Sequence, residues 1–170
     1  MIDSYAKILP YRPCAGITLF NREGKVFVGR RIDGHKDTWQ LPQGGIEQNE
    51  EPKEAAIREL KEEIGTSNIT IIGEITEWLY YDIPKNLIDK IWDGKYRGQK
   101  QKWFAGRFLG DDAEINPIKV ENPEFDIWKW VSLCNITKNI VPFKQDVYKK
   151  IIFEFSTFAK KSKRESKLRL

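Results

Sequence analysis

The sequence predicts an α/β fold in which a mixed β-sheet is sandwiched between helices. Short runs rich in β-branched and aromatic residues, separated by turn residues, lie on both sides of one helix-forming stretch at 51–65. A second amphipathic stretch, Lys144–Phe158, places Val147, Ile151, Phe155 and Phe158 on one face. The chain has 170 residues, 40% of them hydrophobic, with no internal repeat, which suits a single core. One domain over residues 1–159 is expected, followed at 160–170 by a basic tail (Lys160, Lys161, Lys163, Arg164, Lys167 and Arg169 against Glu165) that should fray.

Taken in order, Tyr11 to Cys14 leads into a strand at Ala15–Phe20. Asn21 to Gly24 is a turn, and Lys25–Arg31 is its hairpin partner. A loop follows, then the short extended piece Trp39–Gln43. Asn68–Gly73 and Ile75–Ile83 have strand composition. Pro84–Tyr96 reads as a long loop with a helical turn. Gln99–Leu109 is a strand whose start alternates polar and apolar residues, and 110–116 is a turn with a short extended segment. Phe125–Val131 carries Trp128 and Trp130 at period two, and Leu133–Ile140 forms a short helix.

The stretch that carries chemistry begins at Gly44-Gly45 and ends at Gly65. Asn49 is positioned to cap the helix, Pro52 suits its first turn, and Gly65 suits the left-handed residue that ends it. At about 100° per residue, Glu59, Glu62 and Glu63 share one face, while Ala56, Ile57, Leu60 and Ile64 face a core. Ala55 is expected amid the acids, leaving room for a ligand. Two carboxylates roughly 6 Å apart repel by on the order of 3 kcal/mol at an effective dielectric of 20. No lysine is interleaved to relieve this, and a hard divalent cation, Mg²⁺ or Mn²⁺, would turn repulsion into coordination. An ordinary charged surface helix is the plain alternative for an isolated E-x-x-E-E.

The pattern is longer than that. Gly44, Glu50, Arg58, Glu59, Leu60, Glu62, Glu63 and Gly65 fit G-x5-E-x7-R-E-U-x-E-E-x-G-U, with Thr66 in place of the last aliphatic residue U. The chain thereby resembles the Nudix hydrolases, enzymes that cleave nucleoside diphosphates linked to another group. Seven fixed identities recur by chance on the order of once in ten million windows. Further blocks at Tyr11–Pro13, Trp39–Gly45, Gly98–Phe104, Ala113–Asn116, Pro123–Asp126, Trp130-Val131 and Phe143–Tyr148 are similar to the family's bacterial RNA pyrophosphohydrolases, also described as (di)nucleoside polyphosphate hydrolases.

The resemblance implies an α/β/α Nudix sandwich and a metal-dependent pyrophosphohydrolase. Its metal ligands fall on Glu59, Glu62, Glu63 and, from outside the helix, Glu114. Arg58 pairs with Glu50 and braces the loop against the helix. The implied activity is removal of pyrophosphate from the 5′-triphosphate end of RNA, which leaves a 5′-monophosphate and promotes mRNA decay. The alternatives are hydrolysis of diadenosine tetraphosphate or another dinucleoside polyphosphate and, from another class, a non-catalytic RNA-binding module. Arg12, Arg30, Lys36 and Lys144 are candidates for phosphate binding. Gly44 and Gly45 shape the approach, Tyr81 and Phe143 are candidates for base stacking or core packing, and Gln99 and Gln101 for hydrogen bonds to substrate.

Charge and cysteine usage narrow the classes. A net charge of +4 beside so acidic a helix implies segregated charge, suited to a polyanionic substrate. The lone His35 excludes a histidine-based zinc site. Cys14 and Cys134 match no metal or redox spacing and read as reduced thiols of a cytoplasmic protein. No apolar run approaches the roughly 20 residues of a membrane span, and no secretory signal is evident.

Overall fold

A computed structural model of the chain describes residues 8–34 and 37–160. Its centre is the pairing of β1 (Tyr11–Phe20) with β7 (Gly98–Phe108), parallel from Tyr11 opposite Gly98 to Phe20 opposite Arg107. On one side β2 (Val26–Arg31) follows, joined to β1 at Phe20 and Val26, and carries β3 (Trp39–Gln40) and β8 (Phe125–Val131). On the other side β7 pairs antiparallel with β5 (Ile69–Glu74) and, toward its start, with β6 (Leu79–Asp82). The three-residue β4 (Gln43–Gly45) lies antiparallel to Cys14–Gly16 and delivers the chain to the first helix.

Alternation along the strands builds two cores, as the two faces of a strand require. Ala15, Ile17, Leu19, Phe27, Phe104 and Phe108 meet Ala55, Ala56, Leu60 and Ile64 of α1 (Pro52–Ile64). Phe20, Val26, Val28, Trp103 and Ala105 face the other way, against Val147, Tyr148, Ile151 and Phe155 of α3 (Gln145–Phe155). The expected sandwich of a mixed sheet between helices is what forms. Tyr148 also reaches through its core to accept the Leu41 N–H at 2.9 Å, which ties α3 to the segment feeding the glycines.

Local differences have local causes. Pro52 and Gly65 stand where expected, Gly65 with φ 88° and its N–H on the Lys61 carbonyl. The N-cap, however, is Glu51, without a side-chain cap. Asn49 instead takes φ 64° inside the loop. Ala55 is fully buried in the α1 core and leaves no room among the acids. Pro84–Tyr96 holds the short α2 (Lys85–Ile88) and a 3-10 turn at Trp92–Gly94. Residues Asp112–Glu114 form a 3-10 turn in place of an extended segment, and the expected helix after Leu133 shortens to Leu133–Asn135. In β7 the glutamines point inward, Gln99 and Gln101 each being 2% exposed. No described helix is long and apolar enough to cross a membrane. Lys36 and the tail at 161–170 lie outside the described residues.

Candidate active site

The loop from β4 to α1 is fastened by one side chain. Arg58 donates to both oxygens of Glu50 at 2.7 and 2.9 Å, to the Gly45 carbonyl at 2.8 Å, to Glu59 at 2.9 Å and to Glu62 at 3.3 Å. Glu50 also accepts the Glu47 N–H at 2.9 Å, closing the turn. The fork of Arg58 holds Glu50 below the usual carboxylate range. This is the bracing expected from the sequence.

The three helix acids share a face but not an environment. Glu62 is exposed, Glu59 is half-buried, and Glu63 is buried at 2% exposure. Burial is the first cause that lifts the Glu59 carboxyl, with Arg58 opposing it. Glu63 is lifted well above the usual range by burial and by the charges of Glu124 and Glu59. Its Oε2 accepts the Gln43 N–H at 3.0 Å, and its Oε1 is buried without a partner among the described residues. Gly44 is required here, because a Cβ on it would lie 2.1 Å from the Glu59 carboxylate.

A cleft of about 710 Å³ opens beside Glu59. Gly44, Gly45 and Gln43 form one wall with Glu59. Arg31, Asp33 and Glu124 also line the cleft, as do Tyr81, Gln99, Phe143 and Lys144 with Arg12 and Trp92. Tyr81 and Phe143 stand 5.5 Å apart at 36°, and Lys144 lies 5.7 Å from the Tyr81 ring. Burial and the neighbouring Arg31 bring the Lys144 ammonium down to about 8. Arg12 approaches Cys14 Sγ at 3.7 Å and the Trp92 ring at 5.6 Å, and a Cβ on Gly45 would lie 2.6 Å from its guanidinium. Behind the wall, Trp103 donates to Gln101 at 3.0 Å, and Gln101 donates to Gln99 at 2.7 Å and to Gln43 at 3.1 Å. Gln101 therefore orients the lining residues without being one itself.

Two residues expected here are elsewhere. Glu114 sits in a separate hollow with Asn21, Arg22 and Asn68. Its carboxylate accepts the Asp111 N–H at 3.2 Å and the Thr66 hydroxyl at 3.2 Å, and these donors hold it below its usual range. It caps its own turn, and the acids that line the cleft from outside the helix are Glu124 and Asp33, the latter held in a bidentate pair by Arg31. Arg30 is committed to Asp126 by a bidentate pair at 2.9 and 2.7 Å and does not line the cleft. Arg31 takes that place. It is held by Asp33 at 2.6 Å and by Glu124 at 3.2 Å. The β2–β8 register shifts at this point, Arg30 lying opposite Ile127 and Arg31 opposite Phe125 with Asp126 passed over, an irregularity that regular alternation does not anticipate.

Residues 10–151 match the family model described as the NUDIX domain. The chain belongs to the Nudix family. Among its Nudix relatives, an RNA pyrophosphohydrolase of Sphingopyxis alaskensis is 52% identical, over 86% of this chain and 94% of that protein. One of Roseobacter denitrificans is 50% identical over 86% and 92%, and one of Wolbachia pipientis is 45% identical over 89% and 93%. Among solved structures, a MutT protein from Methanosarcina mazei superposes with TM-score 0.64 at 20% identity, covering 86% of this chain and 96% of that one. A C. elegans Ap4A hydrolase gives TM-score 0.61 at 19% identity over 86% and 98%. At these identities the structures speak to the Nudix fold alone.

Nudix hydrolases generally need divalent cations. The donor chemistry here fits one: Glu59, Glu63 and Glu124 supply hard oxygens, and one oxygen of Glu63 is buried with no partner among the described residues. Among the described residues, no three His, Cys, Asp or Glu side chains are gathered closely enough to hold an ion as they stand. Arg58 draws Glu59 and Glu62 toward itself, and a hydrogen-bonded fork of this kind opposes tighter convergence.

Proposed function

We infer that this Nudix hydrolase removes pyrophosphate from the 5′-triphosphate end of RNA and leaves a 5′-monophosphate, a change that promotes decay of the transcript. The observation that carries the reading is a cleft lined by the acids Glu59, Asp33 and Glu124 together with the Tyr81–Phe143 pair and the bases Arg12 and Lys144, neither of which has a carboxylate partner among the described residues. This lining suits a substrate that joins a polyphosphate to an unpaired nucleotide. The names of relatives at 45–52% identity support the same substrate.

Glu59, Glu63 and Glu124 would hold the divalent cation, Mg²⁺ or Mn²⁺, with Glu62 at the rim. When bound, the cation neutralises phosphate charge and acidifies a water. The protein's own residues do the rest. Arg12 and Lys144 bind phosphate oxygens, and Arg31, engaged with Asp33, keeps Glu124 turned to the cleft. Tyr81 and Phe143 seat a base, and Gln99, fixed by Gln101, presents its amide to it. Glu62, exposed and held only at 3.3 Å, receives the proton of the attacking water and passes it to solvent while pyrophosphate leaves. A purely binding module would gain nothing from keeping Glu63 buried and uncompensated, since such a group costs stability. A cytoplasmic setting belongs to the same proposal, since both cysteines are free thiols.

The test is pyrophosphate release from 5′-triphosphorylated RNA with Mg²⁺ and with chelator, run beside diadenosine tetraphosphate. Cation-dependent release from RNA at higher kcat/KM than from the dinucleotide is expected. A preference for the dinucleotide, or RNA binding without release, would overturn the reading.

A further inference from the structure

The strands that line the cleft have a second face. Arg12, Tyr81 and Gln99 point into the cleft, so their neighbours Tyr11, Tyr80 and Lys100 point to the opposite side of the sheet. Register keeps that side together. Tyr80 and Pro13 both lie opposite Lys100, and Ala15 lies opposite Lys102. The α1 core reaches only as far as Ala15 and Phe104 along these strands. Beyond it Tyr80 is 52% exposed, and Tyr11, Trp78, Lys100 and Lys102 are half-exposed.

This surface interleaves rings and cations. Tyr11 and Tyr80 meet edge to face at 5.0 Å. Lys100 and Lys102 lie 4.9 and 5.5 Å from the Trp78 ring. Arg97, paired with Asp82, lies over Tyr11 at 4.9 Å. Lys102 also donates to the Thr76 carbonyl, but neither lysine has a carboxylate partner among the described residues. The centre of a protein interface is depleted of such charge. Aromatic platforms with unneutralised cations between them instead suit successive bases and phosphates of a single strand. The way from the cleft is short: β6 pairs only with β7 among the described strands, so Tyr81 and Tyr80 flank one outer edge of the sheet.

We propose that this face, built on Tyr11, Trp78, Tyr80, Lys100 and Lys102, is a platform for single-stranded RNA, taking the nucleotides that follow those held in the cleft. The proposal rests on the reading of the cleft as a site for RNA 5′ ends. The platform makes the enzyme sensitive to the length of unpaired RNA behind the triphosphate.

The experiment compares 5′-triphosphorylated RNAs of three and twenty nucleotides, unstructured, on the full chain and on two variants, K100Q/K102Q and Tyr80→Ser. The wild type is expected to show a KM about tenfold lower for the longer RNA. K100Q/K102Q removes that advantage, leaves kcat and the three-nucleotide KM unchanged, and lowers the slope of log affinity against log salt by about 1.4, at ~0.7 per cation on a single strand. Tyr80→Ser gives a partial loss in the same direction with no change in salt slope. Equal KM for both lengths in the wild type, or full retention of the length effect in both variants, overturns the platform and leaves the face to a different partner. Loss of activity on both lengths alike also counts against it. If the wild type releases no pyrophosphate from either RNA, the reading of the cleft itself fails; normal turnover of the short RNA keeps the two failures apart.

Discussion

Replacing Gly44 by alanine isolates the geometry of one carboxylate from the stability of the fold. The added methyl would sit 2.1 Å from Cδ and Oε2 of Glu59 and 2.5 Å from Oε1. Ordinary contact begins near 3.4 Å, so the carboxylate must retreat by about 1.3 Å, and a misplacement of ~1 Å at a reacting centre costs about 10²-fold. That loss equals about 2.7 kcal/mol in the barrier. What yields is the end of a flexible side chain, and Gly44 is not among the residues with positive φ, so the backbone accepts alanine. The melting temperature should therefore stay within about 3 °C of wild type, the shift that ~1 kcal/mol produces in a domain of this size. Steady-state kinetics on triphosphorylated RNA, with calorimetry on the same preparation, reads both numbers. A variant that keeps a third or more of wild-type kcat would refute the reasoning, and so would one that loses stability in step with activity.

The remaining expectations concern the acids and Lys144. Glu124→Gln should lower kcat by about 10²-fold and raise the cation concentration needed for half-activity. Glu114→Gln should leave kcat within about twofold and cost only a degree or two of melting temperature through the lost cap; the opposite ranking would return the outside ligand to Glu114. Millimolar Mg²⁺ should raise the melting temperature of the wild type and not that of Glu63→Gln, because an ion that binds the native state alone stabilises it. Lys144 has a folded pKa of about 8 against an ordinary 10.5, so the native state binds fewer protons than the unfolded chain between those values. Its contribution to stability is complete above 10.5 and lost as pH falls to 8. Lys144→Met should accordingly raise the melting temperature at pH 7 by about 2–4 °C and yet raise the KM for RNA. A lower melting temperature at pH 7 would contradict that sign.

What could be read from the chain was local. Gly44, Glu50, Arg58, Glu59 and Glu63 lie within one loop and one helix, so their spacing alone brings them together, and Arg58 does brace Glu50. The outside acid was not legible in the same way. Asp111, Asp112 and Glu114 form a turn that satisfies itself, whereas Glu124 reaches the cleft because β8 pairs with β2 and sets it against Arg31, 93 residues earlier. A signal was present, since Glu124 stands in the Pro123–Asp126 block that resembles the family, but nothing in its spacing separated it from its neighbours. Arg30 and Arg31 were exchanged where β8 carries one extra residue, Asp126, opposite β2, an irregularity below the resolution of any alternating pattern. Gln99 and Gln101 were found by resemblance. Their burial follows from the chain of amides ending at Trp103, which only the assembled sheet reveals.

The parallel union of β1 with β7 also governs when this molecule can come into being. Tyr11 must wait for Gly98, made roughly ninety residues later, and contacts so distant slow folding. Until then Ala15, Ile17 and Leu19 have no strand beside them on that flank, and the glycine loop hangs from an unfinished scaffold. On the ribosome the helix that carries the acids emerges long before the strand that gives it a floor. A nascent chain of this protein therefore holds its chemistry in hand and its architecture in arrears, with apolar strands transiently exposed until the late one arrives.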